Sequence, residues 1–186
     1  YTISDEPGKE GIMGEREHSW NQEFHVLFVD QPAGTGLAVA TSDTGYANNQ
    51  TDVGQRFVTF LQNFYGKYPT YRKNELWLTG ESYAGKYLPA IANAIIVKRL
   101  HLPTAGARML PLKGVAIGNG LTRPREMTLS VPDSYYAVGL LDAPQRDHAA
   151  ALAADCVVSL LAFYLVSLSS MNGPNVRART TVCIAH

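Results

Sequence analysis

Cysteine is scarce in this chain: Cys156 and Cys183 are the two thiols among 186 residues. Two thiols form one bond or none, so a fold built on a disulfide framework is excluded. Net charge is missing as well, with sixteen basic residues balancing sixteen acidic ones. Without a basic excess, nothing recommends nucleic acid or an anionic membrane as a partner. The chain has no P-loop, no His/Cys set at metal-ligand spacing and no dinucleotide fingerprint, so neither cofactor nor metal is expected. No basic-then-apolar leader opens it, which leaves the compartment to be inferred by other means. Asn49-Gln50-Thr51 is an N-glycosylation sequon, which matters only in a secretory protein; such triplets also arise by chance.

What is present suffices for one domain with a real core, since a chain of this size buries roughly 70% of its extended surface. Tyr1 to Glu17 is rich in Gly, Pro and charge and reads as irregular surface. Phe24 to Val29 is a short apolar run, consistent with a strand buried on both faces. Val53, Phe57, Phe60, Leu61 and Phe64 recur at helical spacing from Asn49 to Tyr65, with Gly66 as the stop. Leu76 to Thr79 reads as a strand, Ser82 to about Leu100 as a helix, and Leu112 to Ile117 as another strand. Such alternation is the signature of an α/β fold with crossover units in a mostly parallel sheet flanked by helices. Asp142 followed by Gln145 has the spacing of a helix N-cap with its reciprocal partner. Ala149 to Leu168 is nearly all apolar. It reads as a buried or interface helix, as a membrane helix handicapped by Asp155, or as sequence foreign to the rest. The tail after Gly173 shows no pattern.

Chemistry concentrates in Gly80-Glu81-Ser82-Tyr83-Ala84-Gly85, which follows the Leu76 strand and opens a helix. This is the pattern of a nucleophile elbow, a serine on a strained strand-to-helix turn, although the last glycine of G-x-S-x-G is Ala84. Such a turn lifts the hydroxyl out of the sheet and aims a helix N-terminus at the reacting carbonyl. The bland alternative is a tight turn without chemistry.

Three further motifs occur with the elbow in one order: Ser19-Trp20-Asn21, then Phe28-Val29-Asp30-Gln31-Pro32-Ala33-Gly34-Thr35-Gly36, and, after the elbow's extension Lys86-Tyr87-Leu88-Pro89-Ala90, Gly114-Val115-Ala116-Ile117-Gly118-Asn119-Gly120-Leu121-Thr122. Together they resemble the serine carboxypeptidase family, in particular its plant serine carboxypeptidase-like branch, over about Tyr1 to His148. The resemblance implies a partial α/β-hydrolase core over residues 1–122, the start of a cap or insertion over 123–148, and a divergent apolar helix with an irregular tail over 149–186. It implies Ser82 as nucleophile, the Tyr83 N–H as one oxyanion donor, and Glu81 as the group that binds a substrate's terminal carboxylate. Two carboxyls meet closely only by sharing a proton, which favours acidic pH. The bland reading of Glu81 is a surface charge near a helix start.

The implied activity is serine-type carboxypeptidase action on peptide or protein C-termini, in the secretory pathway, a vacuole or outside the cell. An acyltransferase of the same family and a catalytically inactive truncated paralogue are the alternatives. The family's triad Asp and His, and its second oxyanion segment, are expected from regions this chain does not contain. His101, His148 and His186 read as solvated or core histidines, and Asp133, Asp142, Asp147 and Asp155 as caps or surface charges. Asp30 and Gln31 read as braces beside the elbow, Trp20 and Asn21 as packing or turn residues, and Gly118-Asn119-Gly120 as a turn that could border the cleft.

Overall fold

The computed structural model describes residues 2–4, 6–101, 110–169 and 179–185. A short antiparallel pair, β1 (Thr2–Ile3) and β2 (Met13–Gly14), precedes the main sheet. Then come β3 (Phe24–Asp30), α1 (Gln50–Lys67), β4 (Leu76–Glu81), α2 (Ala84–His101) and β5 (Leu112–Gly118). Helices α3 (Pro124–Ala137) and α4 (Ala143–Ser169) follow, and β6 (Arg179–Ala185) comes last.

In the four-stranded sheet the order is β3-β6-β4-β5. β4 and β5 pair in parallel, whereas β6 runs antiparallel to both β3 and β4. β3, β4 and β5 therefore share one direction, as strands joined by helical crossovers do, and the α/β class stands. β6 is the exception. The tail expected to be irregular supplies β6, whose β-branched run Thr180-Thr181-Val182 was the available signal.

The alternation of β3, α1, β4, α2 and β5 is local in origin. Asn49 caps α1 by accepting the Asp52 N–H on its Oδ1 at 2.8 Å, and Val53, Phe57 and Leu61 repeat at four-residue steps on the buried side. Gly66 lies inside the last turn of α1 rather than beyond it, because the Tyr68 N–H still closes onto the Phe64 carbonyl. α2 buries Tyr87, Leu88, Ile91 and Ile95, which join Leu76 and Leu78 of β4 in one cluster. Burying each such aliphatic side chain is worth about 1.5–3 kcal/mol against leaving it exposed. That cluster fixes β4 and α2 against each other, and so fixes the turn between them.

β3 departs from expectation. Leu27 and Val29 pack against the core cluster, but Phe28 is 78% exposed. The strand lies at the sheet edge with one face open, so the sequence's apolar run does not mean burial on both faces here. α3 and α4 form a helical hairpin. The Gln145 N–H donates to Asp142 Oδ1 at 2.8 Å and the Asp142 N–H donates to Gln145 Oε1 at 2.9 Å, the reciprocal cap the spacing predicts. Ala149 to Leu168 falls within α4, where Ala153 and Val157 are buried while Leu152 and Val158 are exposed. Among the described residues no helix is long and apolar enough to cross a membrane.

Candidate active site

β4 ends at Glu81 and α2 begins at Ala84, leaving Ser82 and Tyr83 to make the whole reversal. Ser82 adopts a φ of +60°, the left-handed region that non-glycine residues rarely enter. Holding such a residue there costs of order 1–3 kcal/mol, so neighbouring structure must enforce it. Three backbone bonds do so. The Ser82 N–H donates to the Gly118 carbonyl at 2.9 Å, and the Ser82 carbonyl accepts from Leu121 N–H at 2.9 Å and from Gly85 N–H at 3.0 Å.

The small residues around the serine have distinct duties. Ala84, the departure from the strict pattern, is fully buried, and its methyl is accommodated in the core. Gly85 is the stringent position: a Cβ there would lie 2.6 Å from the Leu121 nitrogen and 2.8 Å from the Gly120 carbonyl carbon. Gly85 lies just beyond the five-residue pattern, and its constraint comes from a turn 35 residues away in sequence (Gly85 to Gly120).

Ser82 and Glu81 are both exposed, side by side at the tip of β4. Tyr83 is half-buried, its ring edge-on to Tyr87 with centroids 4.9 Å apart. Burial, and then the adjacent Tyr83 phenol, raises the Tyr87 hydroxyl above its ordinary pKa. The Tyr83 N–H meets no acceptor among the described residues. A serine so presented can attack a carbonyl carbon if a base takes its proton, and a free N–H one residue on can receive the resulting oxyanion.

No histidine or carboxylate among the described residues is hydrogen-bonded to the Ser82 hydroxyl. His18 and His148 are exposed, and His25 stacks edge-on against Tyr71 at 5.1 Å. The His101 side chain and His186 lie outside the described residues. Asp142 caps α4, Asp147 pairs with Arg146 at 2.5 Å, and Asp133 and Asp155 sit on exposed helix faces. Nor is there a cluster of His, Cys, Asp or Glu among the described residues that could hold a metal.

The remaining motifs sort themselves by contact. Asp30 Oδ2 accepts the Leu37 N–H at 2.8 Å and Thr35 Oγ1 donates to the Pro32 carbonyl at 2.8 Å, with Gln31 buried beside them, so this loop is braced from within. Of the packing and turn roles expected for Trp20 and Asn21, the turn holds: both lie in a 3-10 turn over Trp20–Gln22, where Trp20 is exposed and Ser19 Oγ donates to Asn21 Oδ1. A cavity of about 730 Å³ opens there, lined by Arg16, His18, Trp20, Asn21 and Phe28 among others. It lies on the open face of β3 and includes none of the elbow residues. Cys156 is free and exposed.

A family model described as serine carboxypeptidase matches residues 6–167. The chain is similar to a probable serine carboxypeptidase of Dictyostelium discoideum, 41% identical over 133 residues that make up 72% of this chain and 26% of that protein. It is 42% identical to the venom serine carboxypeptidase of Apis mellifera over 71% of this chain and 27% of that protein. A serine carboxypeptidase-like protein of Arabidopsis thaliana matches at 35% over 84% and 32% respectively. Among solved structures, a prohormone-processing carboxypeptidase of Saccharomyces cerevisiae superposes with a TM-score of 0.59 at 30% identity, covering 77% of this chain and 30% of that one. The chain thus spans about a quarter to a third of the length of the relatives it matches.

Proposed function

The chain belongs to the serine carboxypeptidase family, and from that premise we propose that its elbow carries the acyl-transfer half of a serine-type carboxypeptidase site. Ser82 Oγ attacks the carbonyl of a substrate's last peptide bond, its proton passing to a base, and the Tyr83 N–H receives the oxyanion of the tetrahedral intermediate. Collapse breaks the C–N bond, the terminal amino acid leaves with the transferred proton, and water then releases the acyl group from Ser82. Glu81 grips the free C-terminus, sharing one proton with the substrate carboxylate, which ties the activity to acidic surroundings. The substrates are peptide or protein C-termini, and the setting is the secretory route, a vacuole or the extracellular space, with Asn49 as glycan acceptor.

One observation carries this reading: an exposed serine at φ +60° on the turn between β4 and α2, directly after an exposed glutamate. A second reading, a non-catalytic member, is favoured by the lack of a hydrogen-bonded base at Ser82 among the described residues. Losing a triad histidine typically costs about 10⁶ in turnover, so without such a base only slow chemistry is expected at Ser82.

Treatment with a fluorophosphonate probe, followed by mass spectrometry of the peptides, separates the two. The catalytic reading expects slow adduct formation at Ser82 in preference to other serines, abolished in Ser82→Ala. No adduct, or adducts scattered over surface serines, would leave the non-catalytic reading standing.

A further inference from the structure

Among the described residues, Ser82 (φ +60°) and Asn119 (φ +45°) are the non-glycine residues with positive φ. They follow the ends of neighbouring parallel strands, with Glu81 of β4 paired to Gly118 of β5. The two turns are bonded into each other. Gly118 accepts the Ser82 N–H and Leu121 donates to the Ser82 carbonyl, each at 2.9 Å, so residues on either side of Asn119 hold both peptide groups of Ser82. Close backbone approach reinforces the grip: a Cβ on Gly120 would lie 3.2 Å from the Gly85 Cα and closer still to Ile117.

We propose that the Gly118–Leu121 turn positions the Ser82 hydroxyl, and that Asn119 sets this turn through its left-handed backbone rather than through its amide side chain. If Asn119 relaxed to an ordinary φ, the Gly118 carbonyl and the Leu121 N–H would diverge, and Ser82 would lose two of the three bonds that enforce its own strained φ. Asn is among the few side chains that tolerate the left-handed region, where glycine is at ease and β-branched residues are not. Asn119 is thus a positioning residue that acts through Ser82, an inference that rests on reading Ser82 as the nucleophile.

The test uses the full chain with Asn119→Gly, Asn119→Ala and Asn119→Val. Its readouts are the saturation kinetics of fluorophosphonate labelling at Ser82 and hydrogen exchange at the Ser82 and Leu121 amides. Asn119→Gly should label like the parent. Asn119→Ala should be slower, and Asn119→Val slower by roughly 10- to 100-fold, as misplacement by about an ångström costs. The loss should fall on the maximal labelling rate and leave the half-saturating probe concentration unchanged. Both amides should lose protection in the same order.

If Asn119→Gly falls as far as Asn119→Val, the side chain is what matters and the proposal is overturned. Parental labelling and protection in a folded Asn119→Val would overturn it equally. Should Asn119→Val fail to fold, Asn119→Ala against Asn119→Gly decides by the same order. Should the parent itself not label, the nucleophile reading fails, and amide protection alone still decides whether Asn119 sets the turn.

Discussion

Gly54 of α1 lies against Ala90 of α2 with no room for a side chain: a Cβ there would sit 2.7 Å from the Ala90 carbonyl oxygen and 3.0 Å from the Ala94 methyl. The close contact brings α1 onto α2, and α2 in turn carries the elbow. Gly54→Ala sets two effects against each other. Helix propensity gains about 0.5–1 kcal/mol, while overpacking against a backbone atom costs typically 1–3 kcal/mol. Backbone cannot swing aside as a side chain would, so the clash wins. Thermal unfolding should show a lower Tm; an unchanged or raised Tm would mean that the helices separate at little cost.

Tyr65 is wholly buried on α1, and its hydroxyl has no partner among the described residues. Burial pushes its pKa up to about 12. The sign follows directly: the folded state holds the proton more tightly than the unfolded chain, so this stability is full below about pH 10 and drains as pH rises to about 12. Over that window the loss is roughly 2–3 kcal/mol. Tyr65→Phe keeps the ring, relieves an unsatisfied group, and should be neutral or stabilising at pH 7. Urea unfolding across the alkaline range should show a steeper loss for the parent than for Tyr65→Phe. Parallel curves would mean that the hydroxyl finds a partner in solution.

β6 separates two strands that share a direction. Cys183 stands opposite Val26 of β3 and opposite Trp77 of β4, so one residue's backbone serves both ladders. Removing residues 170–186 deprives β3 of its partner in the described sheet. The truncated chain should bind a hydrophobic dye, and the amides of Phe24–Asp30 should exchange freely while those of α1 and α2 stay protected. Protected β3 amides in the truncated chain would count against β6 as the connecting strand.

The same strand marks where sequence reasoning ran out. α1, β4, α2 and β5 were legible because each carries its own evidence: a cap at Asn49, apolar residues at the right period, glycines at the turn. β6 has a β-branched run but no alternation, and its identity depends on two partner strands that lie far away in sequence. Phe28 misled in the opposite sense, since an apolar residue looks the same on a covered face and on an open one. At the site, the motif announced Ser82 and Glu81, but Gly85 and Asn119 matter through a contact between two turns that no local pattern encodes. Whatever takes the serine's proton was equally illegible, because histidines read from sequence carry no sign of their neighbours.

Asn49 caps α1 and is proposed to accept a glycan, and a pair of variants can separate the two roles. Its Oδ1 accepts the Asp52 N–H, and Asp52 Oδ2 accepts the Asn48 N–H at 3.0 Å, so Asn49→Ala should cost about 1 kcal/mol. Thr51→Ala destroys the sequon and leaves the cap intact. From a secreting eukaryotic host, the parent should carry a glycosidase-sensitive mass increment that both variants lack, with Tm lowered by the Asn49 change far more than by the Thr51 change. An unmodified parent would argue against Asn49 as a glycan acceptor.

Glu81 ends β4 in the open, so replacing it should leave stability within about 0.5 kcal/mol of the parent. Its effect should appear in what binds. A protonated Glu81 can donate a hydrogen bond to a peptide's terminal carboxylate, whereas an ionised one repels it. A peptide with a free C-terminus should therefore protect Ser82 against the fluorophosphonate, and Glu81→Ala should remove that protection. Glu81→Gln presents a permanent donor, so its protection should match or exceed that of the parent. An amidated peptide should protect poorly at every pH in the parent. If the amidated and free peptides protect alike, Glu81 does not read the C-terminus, and the carboxypeptidase assignment loses its specificity element while the elbow keeps its nucleophile.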